Sequence, residues 1–203
     1  MTARLGAMVV DAAEPSALAR FWHRMLGGEL RDDNAGAVLS APGAELRFRA
    51  CASPKTVKNR NHPDVYVAAV ESLVALGAVV LAELPDWVVL ADPEGNEFCA
   101  FPDPAQASTG APARLFSICT DSDRPEELAA WWADRFGMQV RPGPDGTLRW
   151  LTGPPGWPEL IWKFVRVDDE RVTPNRCRWT LRVDDVPVPA VMADPQGNEF
   201  ELY

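Results

Sequence analysis

The chain has 203 residues, 47% hydrophobic and 24% charged, and its 29 acidic against 20 basic side chains give a net charge of −9. That composition belongs to one globular domain or two small ones, and the acidic balance excludes the basic face that nucleic-acid phosphates require. No apolar run reaches the roughly 18 residues of a membrane span, and the N-terminal one is too short for a signal peptide. Cys51, Cys99, Cys119 and Cys177 show no C-x-x-C spacing and read as reduced thiols, which puts the protein in the cytoplasm.

Residues 5–10 form a β-rich run, and Pro15 opens a helix at a position where its missing N–H costs nothing. Leu18, Phe21, Trp22, Met25 and Leu26 fall on one helical face, and Gly27-Gly28 ends it. Strands are expected at 29–31, 37–40 and 45–50, then a polar loop over 53–61 carrying Lys55, Lys58 and Arg60. That basic loop reads as solvated charge, or else as a lure for an anionic ligand. A strand over 62–68, a short helix over 70–77, and strands near 79–82 and 87–90 follow. The order is βαβββ twice.

The second unit restarts at 113, after a Pro- and Ala-rich linker over 104–112. Two stretches announce the duplication: Asp92-Pro93-Glu94-Gly95-Asn96-Glu97-Phe98 and Asp194-Pro195-Gln196-Gly197-Asn198-Glu199-Phe200. Each is a turn feeding a strand: Pro restricts the residue before it, and Gly supplies a positive φ. Pro15 and Trp22 correspond to Pro125 and Trp132, and Asn59-Arg60 to Asn175-Arg176. Too few residues remain between 183 and 193 for a second helix, so the second unit reads as having lost it. Surface left uncovered by that loss needs the first unit or a second chain, as in a homodimer, over it. Six tryptophans in this half (131, 132, 150, 157, 162 and 179) could supply contact area or line a pocket. Residues 153–159 (Gly-Pro-Pro-Gly-Trp-Pro-Glu) read as a turn and not a phosphate cradle.

With Lys58-Asn59-Arg60-Asn61-His62 before its central strand and Asp92 to Cys99 at its end, unit 1–103 resembles the glyoxalase/bleomycin resistance/dioxygenase group of the vicinal oxygen chelate superfamily. The resemblance implies an α+β fold in which tandem βαβββ modules form curled, mixed half-barrel sheets around a pocket. Metal-dependent relatives place four ligands, mostly His and Glu, on inner strand faces. The corresponding positions are near Ala7 (or Met8), Arg47 to Arg49, His62 and Cys99 in the first unit. In unit 113–203 they are Ser117, somewhere from Trp162 to Phe164, Arg178 and Glu201. Only His62 and Glu201 are typical ligands, so no metal or other cofactor is expected, with His62 the weak candidate for one. Arg178 and Glu201 are expected to face each other as an ion pair in the metal's place.

His62 has a plainer reading as a hydrogen-bonded strand histidine that steadies the Lys-Asn-Arg loop. Strand alternation puts Asp64 and Tyr66 on its face, which makes His62 and Asp64 the candidate acid/base pair, although no nucleophile or oxyanion signature accompanies them. Cys99 reads as a packing residue. The expected function is therefore capture of a small apolar or aromatic molecule, without a catalytic metal, by His62, Asp64, Tyr66, Cys99, Arg178 and Glu201. The alternatives are a lyase, isomerase or dioxygenase using His62, and a structural or regulatory interaction module. Whether the two units close on each other or two chains exchange faces stays open.

Overall fold

The computed structural model describes residues 3–168, 172–183 and 190–203. The first module runs β1 (Arg4–Ala12), α1 (Pro15–Leu26), β2 (Glu29–Asp33), β3 (Gly36–Ala41) and β4 (Ala44–Ala50). The second runs β5 (Asn61–Val67), α2 (Val70–Leu76), β6 (Val79–Glu83), β7 (Val88–Ala91) and β8 (Glu97–Pro102). Within the linker a 3-10 turn, Pro104–Ser108, is capped by the Asp103 carboxylate. The third module is β9 (Ala113–Ser122), α3 (Pro125–Phe136), β10 (Arg141–Pro142), β11 (Leu148–Thr152) and β12 (Ile161–Arg166). The fourth has β13 (Cys177–Arg182), β14 (Ala190–Ala193) and β15 (Glu199–Leu202) and, among the described residues, no helix. Residues 184–189, where the lost helix is expected, lie outside the described residues.

The sheets do not follow the sequence repeat. One has the order β14-β15-β13-β1-β4-β3-β2, the other β10-β11-β12-β9-β5-β8-β7-β6. The first module thus pairs with the fourth, through β1 antiparallel to β13 from Arg4↔Arg182 to Val10↔Cys177. The second pairs with the third, through β5 antiparallel to β9 from Asn61↔Thr120 to Val67↔Ala113. The question left open by the sequence is answered within one chain: the units interleave. The fold is α+β, two mixed sheets curled as half-barrels.

Each sheet turns one face to a cup and the other to a shared core. The core faces meet through Trp162 of β12 and Trp179 of β13, whose rings lie 5.0 Å apart, with Trp157 5.4 Å from Trp179. Trp157 comes from the 153–160 loop, where Pro155 accepts from the Leu5 N–H at 2.7 Å and the Trp157 indole donates to Gly6 O at 2.7 Å. Gly156 takes φ 99° there, and a Cβ on it would stand 2.0 Å from Leu5 O, so only glycine allows the contact. The expected turn also fastens one sheet to the other.

The repeated heptads explain themselves in place. Asp92 accepts from the backbone N–H groups of Glu94 and Asn96 and from the Asn96 amide, and Asp194 repeats this with Gln196 and Asn198. Asn96 then accepts from Asn59 Nδ2 at 3.0 Å, and Glu97 from the Asn59 N–H at 3.1 Å. Asn198 and Glu199 hold Asn175 in the same way, both at 3.1 Å. Glu94 reaches back to accept from the Ala13 and Glu14 N–H groups at the start of α1, while Gln196 bonds Ser122 and the Arg124 carbonyl before α3. Phe98 packs on Trp22 at 5.4 Å and Phe200 on Trp132 at 5.2 Å. Each motif therefore clips its own module to the helix of the preceding one. The basic loop is paired too: the half-buried Lys55 bonds Glu97 at 2.6 Å, against the expected solvated charge, while Lys58 pairs with Asp121 and stays exposed.

Removing one clip orphans a buried amide oxygen, at roughly 1–3 kcal/mol. Asn59→Ala and Asn175→Ala are each expected to lower unfolding stability by about 2 kcal/mol in urea titrations. A loss below roughly 0.5 kcal/mol in both would show that the clips carry no weight.

Candidate functional site

Because modules pair across the repeat, the positions that correspond to metal ligands regroup. Cup one takes Ala7 and Asp11 from β1, Arg47 and Arg49 from β4, Arg178 from β13 and Glu201 from β15. Register sets this, with Val9 opposite both Arg47 and Arg178, and Asp11 opposite Arg49. Cup two takes His62 and Asp64 from β5, Cys99 from β8, Ser117 and Cys119 from β9, and Lys163 from β12. Here Asp64 lies opposite both Cys99 and Ser117, His62 opposite Cys119, and Cys119 opposite Lys163. The six expected ligand-binding residues thus divide: His62, Asp64, Tyr66 and Cys99 in one cup, Arg178 and Glu201 in the other.

In cup one the expected ion pair is present, Arg178 Nε to Glu201 Oε1 at 2.8 Å, but it is part of a larger network. Arg49 donates to both Glu201 oxygens at 2.7 and 2.8 Å, and the Tyr203 hydroxyl donates to Oε2 at 2.6 Å. Arg178 also pairs with Asp11 at 2.8 Å. Burial alone pushes the Glu201 carboxyl up, yet hydrogen bonds from Tyr203, Arg178 and Arg49 outweigh it and leave the group below the usual carboxylate range. Arg178→Met leaves Glu201 with Arg49 and Tyr203, and takes from Asp11 the cation it pairs with.

In cup two Asp64, 1% exposed, holds the floor. Its Oδ2 accepts from Ser117 Oγ at 3.0 Å, Cys119 Sγ at 3.3 Å and Lys163 Nζ at 2.9 Å. His62 Nε2 is 4.0 Å from Asp64 Oδ1, and its buried Nδ1 has no hydrogen-bond partner among the described residues. The reading of His62 as a hydrogen-bonded strand residue therefore fails. Burial lowers its pKa, holding the imidazole neutral, while Asp64 opposes the shift. Burial pushes Cys99 up to about 12 and Cys119 well above the ordinary thiol value, so neither is a thiolate nucleophile. Above this floor stand aromatic rings: Lys163 Nζ lies 4.7 Å from the centroid of Phe116, 5.1 Å from Phe101 and 5.5 Å from Trp150. Tyr66 stacks on Phe116 at 3.8 Å and Trp87 on Phe101 at 5.6 Å.

A separate crevice of about 610 Å³ lies where the linkers between the sheets cross, lined by Lys58, Asn59, Arg60, Asn175 and Arg176, with Asp11 and Asp121. It contains none of the expected site residues.

A family model, the glyoxalase-like domain, matches residues 7–101 and 117–190. The chain belongs to the glyoxalase-like family. Among solved structures, this glyoxalase-like chain is similar to glyoxalase I from Zea mays at TM-score 0.64 and 12% identity, covering 99% of this chain and 92% of that one. A putative dioxygenase from Bacillus subtilis matches at TM-score 0.64 and 13% identity, with 98% of this chain and 84% of that one covered. No curated protein matches significantly. At these identities the structures establish the fold alone.

The divalent ion that the resemblance implies does not fit either cup. In cup one two guanidiniums face its position. In cup two His62, Asp64 and Cys119 bring donor atoms within 4.8 Å of one another, but the Lys163 ammonium already holds Asp64 and the thiol is kept protonated. Sequence reasoning missed Lys163, Asp11 and Tyr203. Lys163 lay inside the span 162–164 without a register to single it out.

Glu201→Gln removes the carboxylate that Arg49 and Arg178 share. It is expected to cost more than Arg178→Met, about 3 kcal/mol against about 1.5 kcal/mol in denaturant melts, and the reverse order would refute the network. His62 is held neutral, so below about pH 6.5 the unfolded chain binds a proton that the folded one does not, and stability falls as pH drops. Compared between pH 7.5 and 5.5, His62→Gln should flatten the pH dependence of the urea midpoint. An unchanged slope would place the titrating group elsewhere.

Proposed function

We propose that the protein is a metal-independent receptor for a small aromatic or apolar molecule, bound in the cup built from β5, β8, β9 and β12. The observation that carries this reading is the Lys163–Asp64 pair at 2.9 Å. A cation supplied by the chain stands where a catalytic ion would have to bind, so the family's Lewis-acid chemistry lacks its seat. Around that pair Tyr66, Trp87, Phe101 and Trp150 are all half-exposed. On the opposite face of the same strands Val65, Ala100, Leu151 and Phe164 are completely buried. Half-exposed rings on a concave face favour a flat ligand, because stacking on them recovers apolar area without reordering the chain.

Catalysis by His62 is the second reading, favoured by its neutral imidazole, its unpartnered Nδ1 and an Nε2 that lies 4.0 Å from Asp64. A lyase or isomerase of this kind would move a proton through His62 without a metal.

Fluorescence separates these readings, since Trp87 and Trp150 lie in the cup. Planar aromatic compounds are expected to quench tryptophan emission saturably and equally with or without chelator, and the Trp87→Phe, Trp150→Phe double variant should lose most of that response. Stoichiometric metal in protein purified without chelator, lost in His62→Ala, would overturn the receptor reading.

A further inference from the structure

We infer that the ligand of this cup carries an anionic group, a carboxylate or phenolate on the aromatic frame, and that Lys163 is the residue that selects it. The inference rests on the receptor reading above and adds the chemical class of the ligand. It starts from the charges along the concave face of the second sheet. Asp64 is matched by Lys163, Asp121 by Lys58 and Glu97 by Lys55. Two further cations belong to the same face by register: Arg114 opposite Tyr66, with its guanidinium 5.1 Å from that ring, and Arg141 opposite Trp150. Neither makes a salt bridge among the described residues, and both are exposed. The face therefore holds excess positive charge on a protein whose net charge is −9. A local field of that sign attracts anions toward the cup.

Lys163 locates where the anion would bind. An ammonium has three N–H donors, and among the described residues it gives one hydrogen bond, to Asp64. Its other neighbours are the faces of Phe101, Phe116 and Trp150, which attract the charge without accepting a directed hydrogen bond. The nitrogen is thus desolvated by rings and still has donors to give. A flat ligand stacked on Trp150 or Phe101 would bring its own oxygen to those donors. A charge-assisted hydrogen bond there exceeds the neutral equivalent, and so distinguishes an acid from its amide. In cup one the guanidiniums of Arg49 and Arg178 are instead directed at acids of the chain, Glu201 and Asp11.

The test compares naphthalene-2-carboxylate with naphthalene-2-carboxamide, close in size and shape, by tryptophan quenching and calorimetry. The wild-type chain is expected to bind the acid at least about tenfold more tightly. Lys163→Met should bring the two within about threefold, while Asp64→Asn, which frees the ammonium of its internal partner, should widen the preference. If Lys163→Met does not fold, the Lys163→Met, Asp64→Asn double variant leaves neither charge unmatched and serves the same comparison. Equal binding of acid and amide by the wild type, or an acid preference that survives loss of Lys163, overturns the inference and leaves the receptor reading standing. Binding of neither compound overturns both.

Discussion

The molecule depends on two antiparallel seams, β1 against β13 and β5 against β9. Both join strands far apart in sequence: Arg4 meets Arg182 in one, and Asn61 meets Thr120 in the other. Because the seams run between units, each unit contributes half of both sheets. The repeated heptads supply the other two joints: Asp92 to Phe98 ties the second module to α1 of the first, and Asp194 to Phe200 ties the fourth to α3 of the third. Seams and clips alternate around a closed ring of four modules. Opening any joint exposes apolar residues of the common core, which is why a clip as small as an asparagine pair matters to the whole.

The ring also decides where chemistry can happen. A cup assembled from two units brings together side chains far apart in sequence, as with Asp64 and Lys163, which stand 99 residues apart. Duplication would be expected to yield two similar cups. Interleaving gives each cup the opening module of one unit and the closing module of the other, so the two can differ as much as the units do. One is lined with three arginines and their acids, the other with rings around a single lysine.

How much of this was legible follows from the range of the forces involved. The strands and helices were readable because alternation, helical periodicity and Pro/Gly punctuation are local, and the observed boundaries lie within a few residues of the expected ones. The Arg178–Glu201 pair was readable because both residues sit at corresponding repeat positions. Lys163 was not, since one residue of slip in β12 moves its side chain from cup to core, and nothing local fixes that register. The role of the heptads was half legible. Their turn chemistry is written in Asp-Pro-x-Gly, but their partners, Asn59 and Asn175, are set by the parallel neighbour strand.

The two cups share a device and put it to different ends. In each, a cation tethered to the chain neutralises a carboxylate at the bottom of the curled sheet, sparing the fold an unpaired buried charge. A guanidinium does this with a planar fork, and in cup one two of them plus a tyrosine hydroxyl satisfy Glu201 completely. These pairs also tie the fourth module to the first, Glu201 to Arg49 and Arg178 to Asp11. An ammonium on a flexible stem has three donors and satisfies Asp64 with one. On the receptor reading, it is the second cup, with its rings around one ammonium, that receives the ligand.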